Sequence, residues 1–187
     1  MKKLTLFFIL TLVFCSIISA QNNELNIIPQ PKSVKFQKGE FKLNYKTKIV
    51  ATNEIGRKSA GILNDLLMKY YGFKLEFTDK PQKNNAIVFP TQDDFMGTIP
   101  KELYFIKIAP KEIQIGGYEA GQFYALQTLM QLLPVEFKGE IKIPAVIISD
   151  SPRFKYRGMH LDVSRHFMPV SFVKKYIDLI HDIGFIY

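Results

Sequence analysis

SPRFKYRGMHLDVSRHFMPVSFVKKYIDLI, residues 151–180, is the stretch on which the reading of the fold turns. From Arg157 to Val163 it alternates as a strand does, with Met159, Leu161 and Val163 on one side and Gly158, His160 and Asp162 on the other. Ser164 to Pro169 then reads as a loop. Ser171 suits the N-cap of a helix whose apolar face carries Phe172, Val173, Tyr176, Ile177, Ile180 and Ile183, with Gly184 at its C-terminal stop. Strand, polar loop and amphipathic helix make one βα unit, which cannot bury both of its faces alone. Three of the four arginines (Arg153, Arg157 and Arg165) lie here with His160 and His166, whereas the positive charge elsewhere is almost entirely lysine. A local switch to arginine and histidine points to directional hydrogen bonding.

The preceding chain has a different pattern, and the domain boundary falls near Ser149 to Pro152. LNIIPQP, from Leu25 to Pro31, is an extended lead-in in which Pro29 and Pro31 exclude helix. Short strands are expected at Val34–Phe36 and Phe41–Leu43, separated by a turn at Gly39, and at Lys48–Ala51. Glu54 to Tyr71 is a helix, with Ile55, Ile62, Leu63, Leu66, Leu67, Tyr70 and Tyr71 at spacings of three and four, Asn53 as its cap and Gly72 at its end. Further strands are expected at Phe73–Phe77, Ala86–Phe89, Leu103–Ile108 and Glu112–Ile115, the last two forming a hairpin that turns at Ala109-Pro110. A second helix runs from about Tyr118 to Leu133 with Phe123, Leu126, Met130 and Leu133 on one face. Ile141–Ile143 and Val146–Ile148 read as extended pieces punctuated by Pro144. The sum is an α+β domain, two helices covering a mostly antiparallel sheet.

At the N-terminus, Lys2 and Lys3 precede an almost continuously apolar run from Leu4 to Ile18, and Ile18-Ser19-Ala20 makes a cleavage site before Gln21. The run is short of the ~20 apolar residues of a membrane span, so the reading is a signal peptide over residues 1–20 and export, with a membrane anchor as the alternative. Phe14 before Cys15 argues against a lipoprotein signal. Cleavage removes the single cysteine, so the mature chain has no disulfide and no thiolate metal ligand. It also lowers the formal charge from +8 to +6, with 23 basic residues against 17 acidic ones. That excess is scattered, which describes a solvated surface and not a nucleic-acid face.

Asp162, Ser164, Arg165 and His166 cluster where the expected strand meets its loop, the end at which βα architectures gather functional groups. The plainer alternative is that Asp162 and Arg165 pair or bond the local backbone to shape the loop, and that His166 packs. His160 and His166 are six residues apart, which is no metal-site spacing. No nucleophile elbow, phosphate-binding loop or dinucleotide fingerprint is present. The paired carboxylates Asp93-Asp94 sit in a loop-like TQDDF and suit a surface loop better than a glycosidase acid–base pair.

FKYRGMHLDVSRHFMPVSFVKKYIDLI closely resembles the opening of the catalytic domain of glycoside hydrolase family 20, the β-N-acetylhexosaminidases, whose members open with a pattern like RG-x-x-L-D-V-S-R-H-F. IIPQPKSVKFQKGEFKL resembles the start of that family's N-terminal non-catalytic domain, and EAGQFYALQTLMQLLP its last helix. The resemblance implies an α+β accessory domain over residues 21–150 and, from residue 151 to 187, the start of a (β/α)8 barrel. It implies an enzyme that removes terminal N-acetylglucosamine or N-acetylgalactosamine from glycans with retention, needing no metal or organic cofactor. In that chemistry the substrate's acetamido oxygen attacks the anomeric carbon, an Asp orients it and the neighbouring Glu protonates the leaving oxygen. The motif match makes Arg157 the arginine that holds hydroxyls of the terminal sugar, with Asp162, Arg165 and His166 as residues that shape the rim around it.

A (β/α)8 barrel takes ~250 residues, and only about 35 follow the boundary. No acidic residue here matches the family's catalytic Asp-Glu pair, and the histidine- and tryptophan-rich strand expected next is absent from a chain without tryptophan. The expectation is therefore a truncated β-N-acetylhexosaminidase, inactive by itself, whose partner is an amino-sugar glycan. The alternative is a non-enzymatic carbohydrate-binding or interaction module, or a decayed gene product.

Overall fold

The computed structural model describes residues 25–91, 99–136 and 138–182. The expected signal peptide, the Asp93-Asp94 pair and the Ile183-Gly184 helix stop lie outside the described residues.

Seven strands form one sheet in the order β1-β7-β5-β6-β4-β2-β3, with β1 Ser33–Leu43, β2 Lys48–Ala51, β3 Glu76–Thr78, β4 Ala86–Phe89, β5 Tyr104–Ile108, β6 Glu112–Gly117 and β7 Ile141–Asp150. The antiparallel half expected from the hairpin is present as β1/β7, β7/β5 and β5/β6. The other half is parallel, β6/β4, β4/β2 and β2/β3, so the sheet is evenly mixed. Helix α1, Glu54–Tyr71, makes the crossover between the parallel strands β2 and β3, and α2, Glu119–Leu132, connects β6 to β7. α1 rests on β2 and β4, α2 rests on β5 and β6, and the two helices touch each other, which places both on one face of the sheet.

Register explains the core. Ile49 lies opposite Ile87, Ile87 opposite Ile113, Ile113 opposite Ile108 and Ile108 opposite Val146, so one row of β-branched side chains crosses five strands. A second row runs Ile115, Ile106, Ile148 and Val34. Directly opposed residues share a face, and both rows are fully buried except for the partly exposed Val34 at the β1 edge.

α1 starts and stops where its sequence signals stand. Asn53 Oδ1 accepts the Gly56 amide at 2.6 Å, and Gly72 closes the helix with a φ of 74°. Its buried stripe is Gly56, Ser59, Ala60, Leu63, Asn64 and Leu67, small residues that let the helix approach the sheet, while Tyr70 is exposed. On α2 the buried face is Gly121, Gln122, Ala125, Leu126, Thr128 and Leu129, so Phe123 is only half-buried.

Two expected breaks are absent. Val34–Phe36 and Phe41–Leu43 belong to one strand, because both halves pair with β7 and Gly39, at a φ of 100°, makes a bulge between them instead of a turn. Pro144 does not divide β7, since it lies where β7 pairs with β1 alone and one edge has no ladder to lose. β3 is shorter and later than the Phe73–Phe77 expected.

The larger correction concerns residues 157–163, which form no strand. No described strand runs beside them, and an alternating segment without a ladder partner leaves its amides and carbonyls to water. The following helix α3, Val170–Asp182, does form, but the carbonyl of Pro169 accepts its first amide bonds from Phe172 and Val173, so Ser171 lies inside the first turn and is not the cap. α3 makes no extensive contact with another element, and Met159, Val163, Phe167, Phe172, Ile177 and Leu179 are exposed. Among the described residues no helix is long and apolar enough to cross a membrane.

Candidate functional site

The chain leaves the sheet at the end of β7, and the residues that follow fold back over the start of β5 and the flank of α2. Tyr104 opens β5 directly opposite Asp150, the last residue of β7. Its hydroxyl lies 2.7 Å from Thr128 Oγ1 on α2 and donates to Asp150 Oδ2 at 3.4 Å. Burial pushes the Tyr104 hydroxyl well above its ordinary pKa, so it stays a neutral donor. Asp150 Oδ1 accepts the Lys32 amide at 3.2 Å, and the Lys32 ammonium donates to Ser151 at 2.8 Å. The lead-in is tied down in the same region: Gln131 on α2 accepts from the amide of Ile28 at 2.8 Å and donates to its carbonyl at 2.9 Å, beside the cis Ile28-Pro29 peptide.

These groups line an open-sided cleft of about 560 Å³ between the α+β domain and residues 151–158, with Tyr104, Tyr124 and the largely exposed Phe154 and Tyr156 along it. Arg157 closes one side of it. Its Nη2 donates to Glu102 Oε1 at 2.6 Å and to the Tyr124 hydroxyl at 2.9 Å, and its Nη1 donates to the Phe154 carbonyl at 2.6 Å. The Tyr124 hydroxyl in turn donates to Glu102 Oε1 at 3.1 Å. The guanidinium carbon stands 5.7 Å from the centre of the Tyr124 ring. Burial raises the Tyr124 pKa, with Glu102 adding to the rise and the Arg157 cation opposing it. For Arg157 burial works against the charge, but Glu102 and Tyr124 outweigh it and hold the guanidinium above its ordinary pKa.

Both terminal nitrogens of Arg157 thus donate to partners within the chain, an acidic side chain, a phenol and a backbone carbonyl. Asp162, Arg165 and His166 do not line the cavity. Asp162 Oδ1 accepts the amides of Ser164 and Arg165 at 2.9 and 3.1 Å, and Oδ2 pairs with Arg165 Nε at 3.4 Å, so these two shape their own loop. His160 and His166 are exposed. Among the described residues no three His, Cys, Asp or Glu side chains gather where they could hold a metal ion.

Sequence reasoning missed Glu102 and Tyr124. Tyr124 follows Gly121 by three residues and so shares its helix face, but nothing in the local pattern of Glu102 links it to an arginine 55 positions away.

Comparison with known proteins agrees with the motifs. The chain matches the family model of glycosyl hydrolase family 20, domain 2, over residues 24–151, and that of the glycosyl hydrolase family 20 catalytic domain over residues 154–181. It is 31% identical to a beta-hexosaminidase of Porphyromonas gingivalis, covering 96% of this chain and 25% of that protein. It is 29% identical to a beta-hexosaminidase of Vibrio furnissii over 82% of this chain and 24% of that one. Among solved structures, the GH20 β-N-acetylhexosaminidase from Streptomyces coelicolor A3(2) superposes with a TM-score of 0.74 at 30% identity, over 85% of this chain and 33% of that one. The GH20 exo β-N-acetylglucosaminidase from Vibrio harveyi, solved in complex with N-acetylglucosamine, gives 0.70 at 27% identity, over 83% and 24%. The chain spans about a quarter of the length of the curated relatives it matches.

Proposed function

Because the chain belongs to glycosyl hydrolase family 20, we propose that it is the accessory domain, residues 21–150, and the opening of the catalytic domain, residues 151–187, of an exported β-N-acetylhexosaminidase. The observation that carries this reading is the order of the two matches, domain 2 followed within three residues by the catalytic domain. The substrate is a glycan or oligosaccharide ending in an N-acetylhexosamine. The reaction is retaining and substrate-assisted: the acetamido oxygen attacks the anomeric carbon, an Asp orients the acetamide and a Glu gives its proton to the leaving oxygen.

No residue of these 187 supplies either carboxylate, so this chain contributes scaffold and the start of the catalytic domain. The test is an assay of two proteins side by side, the 187-residue chain and the product of the coding sequence continued in frame past Tyr187. The longer protein should hydrolyse a chromogenic N-acetyl-β-glucosaminide with retained configuration, and the shorter one should not. Turnover by the 187-residue chain, or an inert longer protein that is properly folded, would overturn the proposal. Export is supported by the basic and then apolar run of residues 2–18, and the N-terminus of the secreted product should be Gln21.

A further inference from the structure

The excess positive charge is scattered along the sequence, but strand register gathers part of it on the face of the sheet that carries neither helix. Lys35 on β1 lies opposite Ile147 on β7, Ile147 opposite Lys107 on β5, and Lys107 opposite Gln114 on β6. Their neighbours along the strands, Ile106, Ile113, Ile115 and Ile148, are buried beneath the helices, so this row points the other way. With adjacent strands ~5 Å apart, the two exposed lysines flank Ile147 at a backbone separation of ~10 Å. The next row on the same face, Ser33, Ser149, Phe105 and Gly116, adds two hydroxyls. Nearby, the β5–β6 turn reaches the β1 bulge, where a Cβ on Gly39 would stand 2.8 Å from Pro110 Cγ. The segments carrying the exposed Lys38 and Lys111 therefore meet.

Other lysines on this face have carboxylates beside them. Lys48 pairs with Glu76 at 3.1 Å, Lys142 with Glu40 at 3.4 Å and Lys42 with Glu140 at 3.9 Å. Among the described residues Lys35, Lys38, Lys107 and Lys111 have no such partner. Folding thus sets ammonium groups near one another with nothing to offset their repulsion, and an anion from outside would relieve it. These rows hold no arginine, whose planar fork suits phosphate. None of the strongly exposed large apolar side chains stands in them either, so there is no wedge for a lipid bilayer. Spaced point charges beside serine hydroxyls fit a hydrated chain of sugars that bears carboxylates or sulfates.

We propose that the helix-free face of the sheet, through Lys35 and Lys107, binds an acidic glycan, an amino-sugar chain that carries carboxylate or sulfate groups. This names a substrate class within the function proposed above and rests on that reading for the sugar, while the partner's negative charge follows from the register alone. Exposed lysines act as point charges, so the face captures the chain in a salt-dependent way and leaves the chemistry to the groups that act on its terminal sugar.

The test uses the full 187-residue chain and the fluorescence anisotropy of labelled chondroitin sulfate, an amino-sugar chain with both kinds of anion. Unlabelled competitors are a neutral chitin oligosaccharide, phosphatidylglycerol vesicles and single-stranded DNA. Binding should be seen at about 50 mM salt and fall about tenfold or more by about 200 mM. Lys35→Gln with Lys107→Gln should weaken it about tenfold, and Lys35→Arg with Lys107→Arg should keep it. Lys80→Gln with Lys83→Gln removes the same charge from the exposed loop between β3 and β4 and should change affinity less than about twofold. No binding, equal losses in the two glutamine pairs, or competition by the neutral oligosaccharide would overturn the proposal. Vesicles or DNA held more tightly than the glycan, with the same dependence on Lys35 and Lys107, would overturn the glycan as the partner. Binding needs no turnover, so an inert longer protein would refute the function and leave this test standing, and failure here would leave the function standing.

Discussion

Asn64 and Leu75 are joined by two hydrogen bonds in the buried core. The Asn64 amide donates to the Leu75 carbonyl at 3.0 Å and its oxygen accepts the Leu75 amide at 2.8 Å. Asn64 lies on α1 and Leu75 just before β3, so one side chain supplies the ladder partner that the chain lacks as it turns from helix to strand. Both residues are at most 4% exposed. Asn64→Leu would keep the volume and strand two backbone groups, at a cost of about 3 kcal/mol. Urea denaturation should show the loss, and a change below ~1 kcal/mol would mean that water replaces the side chain.

Glycines in the two helices should respond oppositely to alanine. A Cβ on Gly61 meets nothing within 4 Å, so Gly61→Ala should raise stability by ~0.5–1 kcal/mol through helix propensity. A Cβ on Gly121 would press into the Leu103 backbone, so Gly121→Ala should cost about 3 kcal/mol and move Glu102 away from Tyr124. Denaturation of both variants under one set of conditions checks the signs.

Tyr104 predicts an alkaline signature. Its folded pKa is raised above the ordinary 10.0 by burial, so above that pH the unfolded chain releases a proton that the folded one keeps. The contribution is fully present below pH 10 and is lost as pH rises through the folded pKa. Absorbance of tyrosinate should therefore show one tyrosine that ionises only with unfolding, and Tyr104→Phe should remove it. The same variant should cost ~1 kcal/mol at neutral pH through the lost bond to Thr128.

The apolar groups left uncovered by residues 154–179 should make the full chain associate. Phe154, Phe167 and Val170 are each at least two-thirds exposed, and Phe172, Ile177 and Leu179 lie along α3 without extensive cover. Sedimentation velocity should show concentration-dependent association of residues 21–187 and a monomer for residues 21–150. A full-length monomer at high concentration would mean that α3 is covered in solution.

Features set by neighbours along the chain were legible from the amino-acid order. The bounds of α1, its Asn53 and Gly72 caps, strand β4 and the β5–β6 hairpin, in which Ala109 and Glu112 exchange backbone bonds, all follow from local periodicity and turn chemistry. The RGMHLDVSRHF string carried the family in the same way. The partner of each strand was not legible, because pairing is decided by packing between distant residues. Thus Gly39 reads as a turn and becomes a bulge, and β2, β3, β4 and β6 pair in parallel, of which only β2 and β3 are joined through a helix, α1. Alternation in 157–163 promises a strand, but a strand exists only against a partner, and none lies there among the described residues. For Arg157, the motif points toward a sugar, and only the folded chain supplies Glu102 and Tyr124 at hydrogen-bond distance, because both lie far from it in the amino-acid order.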